Sequence, residues 1–152
     1  MGNEIKTELS HKLIRYGVLL FLLGLITGFA IPLMENSRMG LSSHLEGVQN
    51  GMLLMLFGII WSRLNLSRQV LHAGYFLALF GTYVNWLTTF LAGMWGAGGE
   101  LMPISGAGFM GTTWQEILIK FGLFSLSIAM VLVCGVILFG LRGKTYQPEQ
   151  IS

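Results

Sequence analysis

Ile117-Leu-Ile-Lys-Phe-Gly-Leu-Phe-Ser-Leu-Ser-Ile-Ala-Met-Val-Leu-Val-Cys-Gly-Val-Ile-Leu-Phe-Gly-Leu141 holds a single charge, Lys120, in 25 consecutive residues. A helix crosses the hydrocarbon core of a bilayer with about 20 apolar residues, so this run can span it and must tilt or protrude. Working back along the chain, three further apolar runs lie at about 70–94, 44–64 and 13–34. With the last, at about 114–141, they predict an all-α fold, an integral membrane four-helix bundle forming one transmembrane domain over 1–152. The connection over 95–113 is glycine-rich, with Gly96, Gly98, Gly99, Gly106, Gly108 and Gly111. Bracketed by Trp95 and Trp114, it reads either as a lid on the outer face or as a solvent loop.

Composition points the same way. The chain has 152 residues, 53% hydrophobic and 11% charged, with a mean hydropathy of +0.68. Soluble domains carry about 25% charged residues, so an ordinary soluble enzyme is excluded. A net charge of +2 is too small to argue for nucleic acid or another polyanion. The lone Cys134 cannot form an intrachain disulfide. All seven acidic residues are glutamates.

Lys6, Lys12 and Arg15 flank the first run, Arg63 and Arg68 sit between the second and third, and Arg142 and Lys144 follow the last. The first connection holds only Arg38 and the third no basic residue. This asymmetry predicts a multi-pass membrane protein with both termini cytoplasmic, which in a bacterium means the inner (cytoplasmic) membrane. The basic prelude also resembles a signal peptide, although the apolar run is long for one. Ser43-x-x-Glu46 and Thr113-x-x-Glu116 fit the capping box and predict helix starts on the outer side.

Polar residues inside spans are costly and usually functional. At about 100° per residue, His44, Gly47, Val48, Gly51 and Met55 share one face of the second helix. Gly47-x-x-x-Gly51 leaves a flat strip, suited either to close helix contact or to a flat macrocycle ligated by His44. Glu46 is expected to cap, whereas Asn50, about 9 Å deeper than His44, is beyond any cap. Asn85 lies at similar depth on the third helix, about 14 Å from its outer end, so the two amides suggest a shared polar pocket or an interhelical amide pair. Tyr83 looks elsewhere. Glu116 and Lys120 are spaced for an ion pair. His72 lies at the opposite membrane face from His44 and cannot share a cofactor with it. Gly106-Ala-Gly108-Phe-Met-Gly111 matches a dinucleotide fingerprint without its strand, and Asn65-Leu-Ser67 a glycosylation acceptor on the wrong side. Neither carries weight.

Gly24-Leu-Ile-Thr-Gly-Phe-Ala-Ile-Pro32, Arg38-Met-Gly-Leu-Ser-Ser-His-Leu-Glu-Gly47 and Gly81-Thr-Tyr-Val-Asn-Trp86 resemble the hydroxylaminobenzene mutase family, as do Trp95-Gly-Ala-Gly and Met102-Pro-Ile-Ser-Gly106. The likeness implies an isomerase turning hydroxylaminobenzene, a small aromatic hydroxylamine from nitroarene breakdown, into 2-aminophenol. His44, then five residues, then Asn50-Gly-Met52, with Asn85 beyond, is similar to the styrene oxide isomerase family. That likeness implies a homo-oligomer, a trimer, with His44 as axial ligand of ferric haem b and the iron as Lewis acid. It also implies substrate near Asn50 and Asn85. Gly47 and Gly51 would then border the cofactor, and Glu46 could shuttle a proton. That family's third-helix carboxylate and tyrosine fall on Gly81 and Thr89 here, leaving Tyr83 as the nearest substitute. An aryl epoxide isomerase, or a haem-binding membrane protein without catalysis, are the competing readings.

Overall fold

The computed structural model describes residues 2–142. Lys144, counted with the basic C-terminal flank, lies outside them. Among the described residues every regular element is helical. Helix α1 (Gly2–Ala30) gives way to a 3-10 turn (Ile31–Leu33) at Pro32, which has no amide hydrogen to continue the ladder. Next come α2 (Ser37–Trp61), α3 (Arg68–Trp95), a single turn α4 (Pro103–Gly106) and α5 (Thr113–Gly140). Helix α3 stops on Gly96, whose φ of 61° is the left-handed conformation that glycine adopts without penalty.

Three stretches, Glu4–Leu33, Arg68–Trp95 and Thr113–Gly140, are long and apolar enough to cross a membrane. Four were expected. Helix α2 is long enough, its 25 residues reaching about 37 Å, but too polar in its first half. Arg38, Ser43, His44, Glu46 and Asn50 all fall there.

Both expected helix starts move. The N-cap of α2 is Asn36, whose Oδ1 accepts from the amides of Arg38 and Met39 at 3.0 and 3.1 Å. Ser43 is therefore mid-helix, and its hydroxyl donates to the Trp86 carbonyl at 3.3 Å. At α5 the box is Thr112 with Gln115, one residue ahead of Thr113 and Glu116; Gln115 Oε1 accepts from the Thr112 amide at 2.7 Å. In each case a nearer polar residue satisfies the free amides, so the glutamate is released for other contacts.

Helices α1 and α2 run antiparallel and meet along almost their whole length. Gly28 faces His44, Gly24 faces Gly47, Phe21 faces Gly51, Gly17 faces Met55, and Ser10 donates to the Gly58 carbonyl at 2.6 Å. A Cβ on Gly24 would lie 2.5 Å from the Val48 nitrogen, and one on Gly51 2.5 Å from the Phe21 nitrogen. Backbone thus touches backbone. Lipid tails are as apolar as leucine, so helices in a bilayer associate through such close packing. Helix α3 packs on α2 and more lightly on α1. Helix α5 lies along α3 and, among the described residues, makes no comparable contact with α1 or α2. The arrangement is a three-helix cluster with α5 added to the flank of α3.

The connection after α3 is fitted, not loose. Asn36 Nδ2 donates to the carbonyls of Ser105 and Gly106 at 3.1 and 2.9 Å. Glu116, only 4% exposed, accepts the amides of Gly98 and Gly111 on one oxygen at 2.8 and 2.9 Å. The expected Glu116–Lys120 pair is absent because Glu116 is turned inward to the loop. Lys120 instead pairs with Glu100 of the connection. Trp95 and Trp114 meet edge to face at 5.1 Å.

Candidate active site

Glu46 and Asn50 stand one turn apart on α2, and both turn toward α3. There a single carboxylate oxygen, Glu46 Oε2, accepts Nδ2 of Asn50 at 2.9 Å and Nδ2 of Asn85 at 2.6 Å. Asn50 Nδ2 also donates to the Glu46 backbone carbonyl at 2.9 Å. Asn50 is buried at 6% exposure, whereas Glu46 and Asn85 are half-buried. The two amides do share a site, but a carboxylate joins them. Glu46 was expected to cap, or to shuttle a proton, and its joining of both amides was not foreseen, although its i,i+4 spacing to Asn50 allows it.

The cluster is braced from behind. Thr89 donates its hydroxyl to the carbonyls of Asn85 and Trp86, both at 3.0 Å. Trp86 Nε1 donates to Thr27 of α1 at 3.0 Å, and the Thr27 hydroxyl donates to the Leu23 carbonyl at 2.8 Å. The indole also lies over Gly47, where a Cβ would come within 2.8 Å of its ring. Thr27 and Trp86 were not among the expected site residues, although both stand in distinctive strings.

His44 is on the other side of α2. Two residues before Glu46, it is turned by about 200° and faces α1. Its Nδ1 lies 2.8 Å from the Gly24 carbonyl, against the bare surface of Gly28. A carbonyl can only accept, so Nδ1 carries a proton, and Nε2 is the ring nitrogen left to ligate. A half-buried imidazole anchored in this way fits a metal ligand, whose second nitrogen is usually held by a carbonyl or carboxylate. Gly47 and Gly51 do not fit a cofactor role. Their strip is filled by α1, which is the helix-contact reading of the motif, so a macrocycle held on His44 would have to lie off that strip.

Tyr83 also falls outside the cluster. It lies about 200° round α3 from Asn85, and its hydroxyl donates to the Tyr16 carbonyl of α1 at 2.9 Å. There it borders an apolar groove of about 480 Å³ with Tyr16, Leu19, Leu79, Phe80 and Val84. His72 bonds the Arg68 carbonyl at the opposite end of the fold. One chain therefore brings together Glu46, Asn50 and Asn85, and leaves His44 and Tyr83 on separate faces.

The family model described as styrene oxide isomerase matches residues 9–142. The chain is 54% identical over 134 residues to hydroxylaminobenzene mutase HabB of Ectopseudomonas oleovorans, covering 88% of this chain and 82% of that one. It is 42% identical over 125 residues to hydroxylaminobenzene mutase HabA of the same organism, covering 82% and 93%. No solved structure matches the chain significantly.

Proposed function

The chain belongs to the styrene oxide isomerase family, and from that premise we propose that it rearranges hydroxylaminobenzene to 2-aminophenol. The observation that carries this reading is the 54% identity to a named mutase over most of both chains. The reaction breaks the N–O bond, forms a C–O bond at the ortho carbon, and moves the ortho ring proton to nitrogen. No electron is gained or lost.

Haem b held by His44 would supply a Lewis-acidic iron. The imidazole is suited to it because the Gly24 carbonyl engages Nδ1 and leaves Nε2 as the ligating nitrogen. This chain's remaining groups bind and steer. Asn50 and Asn85 hold the hydroxylamine nitrogen and oxygen near the ring edge. Glu46 Oε1, used by neither amide, is the atom placed to hold the proton released by the ring. Preoriented amides stabilise developing charge without ionising, which a site poor in water favours.

His44 and Glu46 occupy opposite flanks of α2, so one chain does not bring ligand and substrate groups together. A ring of copies would, and a homotrimer is the assembly we propose. It would sit in the bacterial inner membrane with α2 crossing beside α1 and α3 and both termini cytoplasmic. Lys6 and Arg68 border one crevice at that end of the fold, in keeping with a shared basic face.

The test is purified protein in mild detergent, its visible spectrum, and chromatography of products from hydroxylaminobenzene. A Soret band and 2-aminophenol are expected, and His44→Ala should lose both, with activity down by at least about a hundredfold. Fully haem-loaded protein that yields no 2-aminophenol overturns the mutase reading. Styrene oxide offered in parallel distinguishes the epoxide isomerase alternative, which the family description favours.

A further inference from the structure

We propose that Trp86 is a positioning residue for Asn85: its indole, held by Thr27 of α1 and resting on Gly47 of α2, fixes the rotation of α3 at which Asn85 meets Glu46. The turn of α3 from Tyr83 to Trp86 carries side-chain hydrogen bonds to both other helices. Tyr83 reaches the Tyr16 carbonyl, Asn85 reaches Glu46, Trp86 reaches Thr27, and the Ser43 hydroxyl reaches the Trp86 carbonyl. An indole N–H can only donate, so its partner must accept. Thr27, at 2% exposure, gives its one hydrogen to the Leu23 carbonyl at 2.8 Å and keeps a lone pair for Trp86 Nε1 at 3.0 Å. The adjoining ring atom, Cδ1, rests on Gly47, where a Cβ would come within 2.8 Å of it and within 2.5 Å of the Gly24 Cα. One edge of the indole is thus seated in the seam between α1 and α2.

Asn85, the residue before it, is held by less. It is half-buried and gives one Nδ2 hydrogen to Glu46 Oε2 at 2.6 Å. Its second Nδ2 hydrogen and its Oδ1 have no partner among the described residues, so they are the atoms left for a ligand. Turning α3 by about 10° moves an atom about 6 Å from its axis by about 1 Å, enough to break the bond to Glu46. The α1–α2 seam is closed backbone to backbone and cannot follow such a turn. At this depth side chains make the bonds between α3 and that pair, and Trp86 touches both helices at once. It therefore acts through Asn85. The part Asn85 plays toward a hydroxylamine rests on the mutase reading, whereas its placement by Trp86 does not.

Two variants break the Trp86–Thr27 bond from opposite sides. Trp86→Phe keeps an aromatic ring without the N–H, and Thr27→Val keeps the shape of Thr27 without the acceptor. Each should lower kcat for 2-aminophenol formation at least about tenfold, while Thr27→Ser stays within about twofold of the wild type. In an Asn85→Ala background either variant should cost less than about a further twofold, because nothing is left to position. A purely structural role predicts the same loss in both backgrounds. Thr27→Val leaves α3 untouched, so the cycle holds even where Trp86→Phe does not fold. A second readout needs no turnover. It is the nuclear magnetic resonance of the isotope-labelled Asn85 side-chain amide in detergent, identified by its absence in Asn85→Ala. Any bound iron is first reduced under carbon monoxide, which makes it diamagnetic. The proton held by Glu46 should move upfield in Trp86→Phe and Thr27→Val and stay in place in Thr27→Ser. An unmoved resonance or an unchanged kcat in the first two, or an equal loss with and without Asn85, overturns the proposal. If 2-aminophenol never forms but the resonance moves, the mutase reading fails and the placement stands. If 2-aminophenol forms and the resonance does not move, the reverse is true.

Discussion

Two helix seams in this molecule are both rich in glycine and are built differently. Between α1 and α2 the glycines face backbone: Gly24 meets Gly47 and Val48, and Gly51 meets Phe21. Between α3 and α5 they face side chains. Gly81 looks onto the Met130 sulfur, Gly74 onto Val136 and Trp61, and Gly122 onto the Thr88 side chain. The first seam is closed along its length. The second leaves a groove of about 320 Å³ bordered by Val84, Thr88, Leu91, Ile119 and Gly122. The same residue type thus serves contact in one place and spacing in the other. What differs is whether the opposing atoms can move.

That contrast can be broken at its strong end first. Gly24→Ala puts a methyl group against the backbone of Val48 and Gly47, neither of which can swing aside. It is expected to cost about 3 kcal/mol or more, the upper range for overpacking, and to part α1 from α2. Thermal unfolding in detergent, followed by tryptophan fluorescence, would show it, and His44 would lose its Gly24 anchor at the same time. Gly81→Ala should cost about 1 kcal/mol or less, because an unbranched methionine can change rotamer. An equal loss in both variants would show that the seams are alike after all. Gly135→Ala sharpens the other end. A Cβ there meets nothing within 4 Å, so the variant should keep its melting temperature or gain from about 0.5 kcal/mol of helix propensity.

Much of the fold was legible because apolar length is a coarse and additive signal. Runs of the α3 and α5 kind announce themselves without knowledge of their neighbours. Helix α2 was legible from its apolar second half alone, since the polar residues before it make sense only beside the partners that cover them. Its first turn was misplaced because Ser43-x-x-Glu46 fits a cap as well as Asn36 does, and only the packed chain shows which residue the free amides use. The same ambiguity hid the joining role of Glu46, though not Glu46 itself as a candidate. Asn50 and Asn85 were legible as a pair because an amide deep in a span has few innocent explanations. That a carboxylate would join them, and that His44 would face away, depends on the rotational setting of α2 between α1 and α3. Sequence periodicity states which residues share a face, but not which neighbour that face meets. Tyr83 shows this plainly: its place on α3 turns it away from Asn85, yet the partner it meets, Tyr16, is 67 residues distant.

The antiparallel join of α1 to α2 has a consequence for how such a chain enters a membrane. A helix with a histidine, a glutamate and an asparagine in its first half is a poor candidate to leave water by itself. Joined to α1 it covers His44, and joined to α3 as well it covers Glu46 and Asn50, so that the flank it keeps free carries Leu41, Leu45, Met52, Leu56 and Ile59. The cluster of α1, α2 and α3, and not the single helix, is then the smallest piece that covers all three polar side chains.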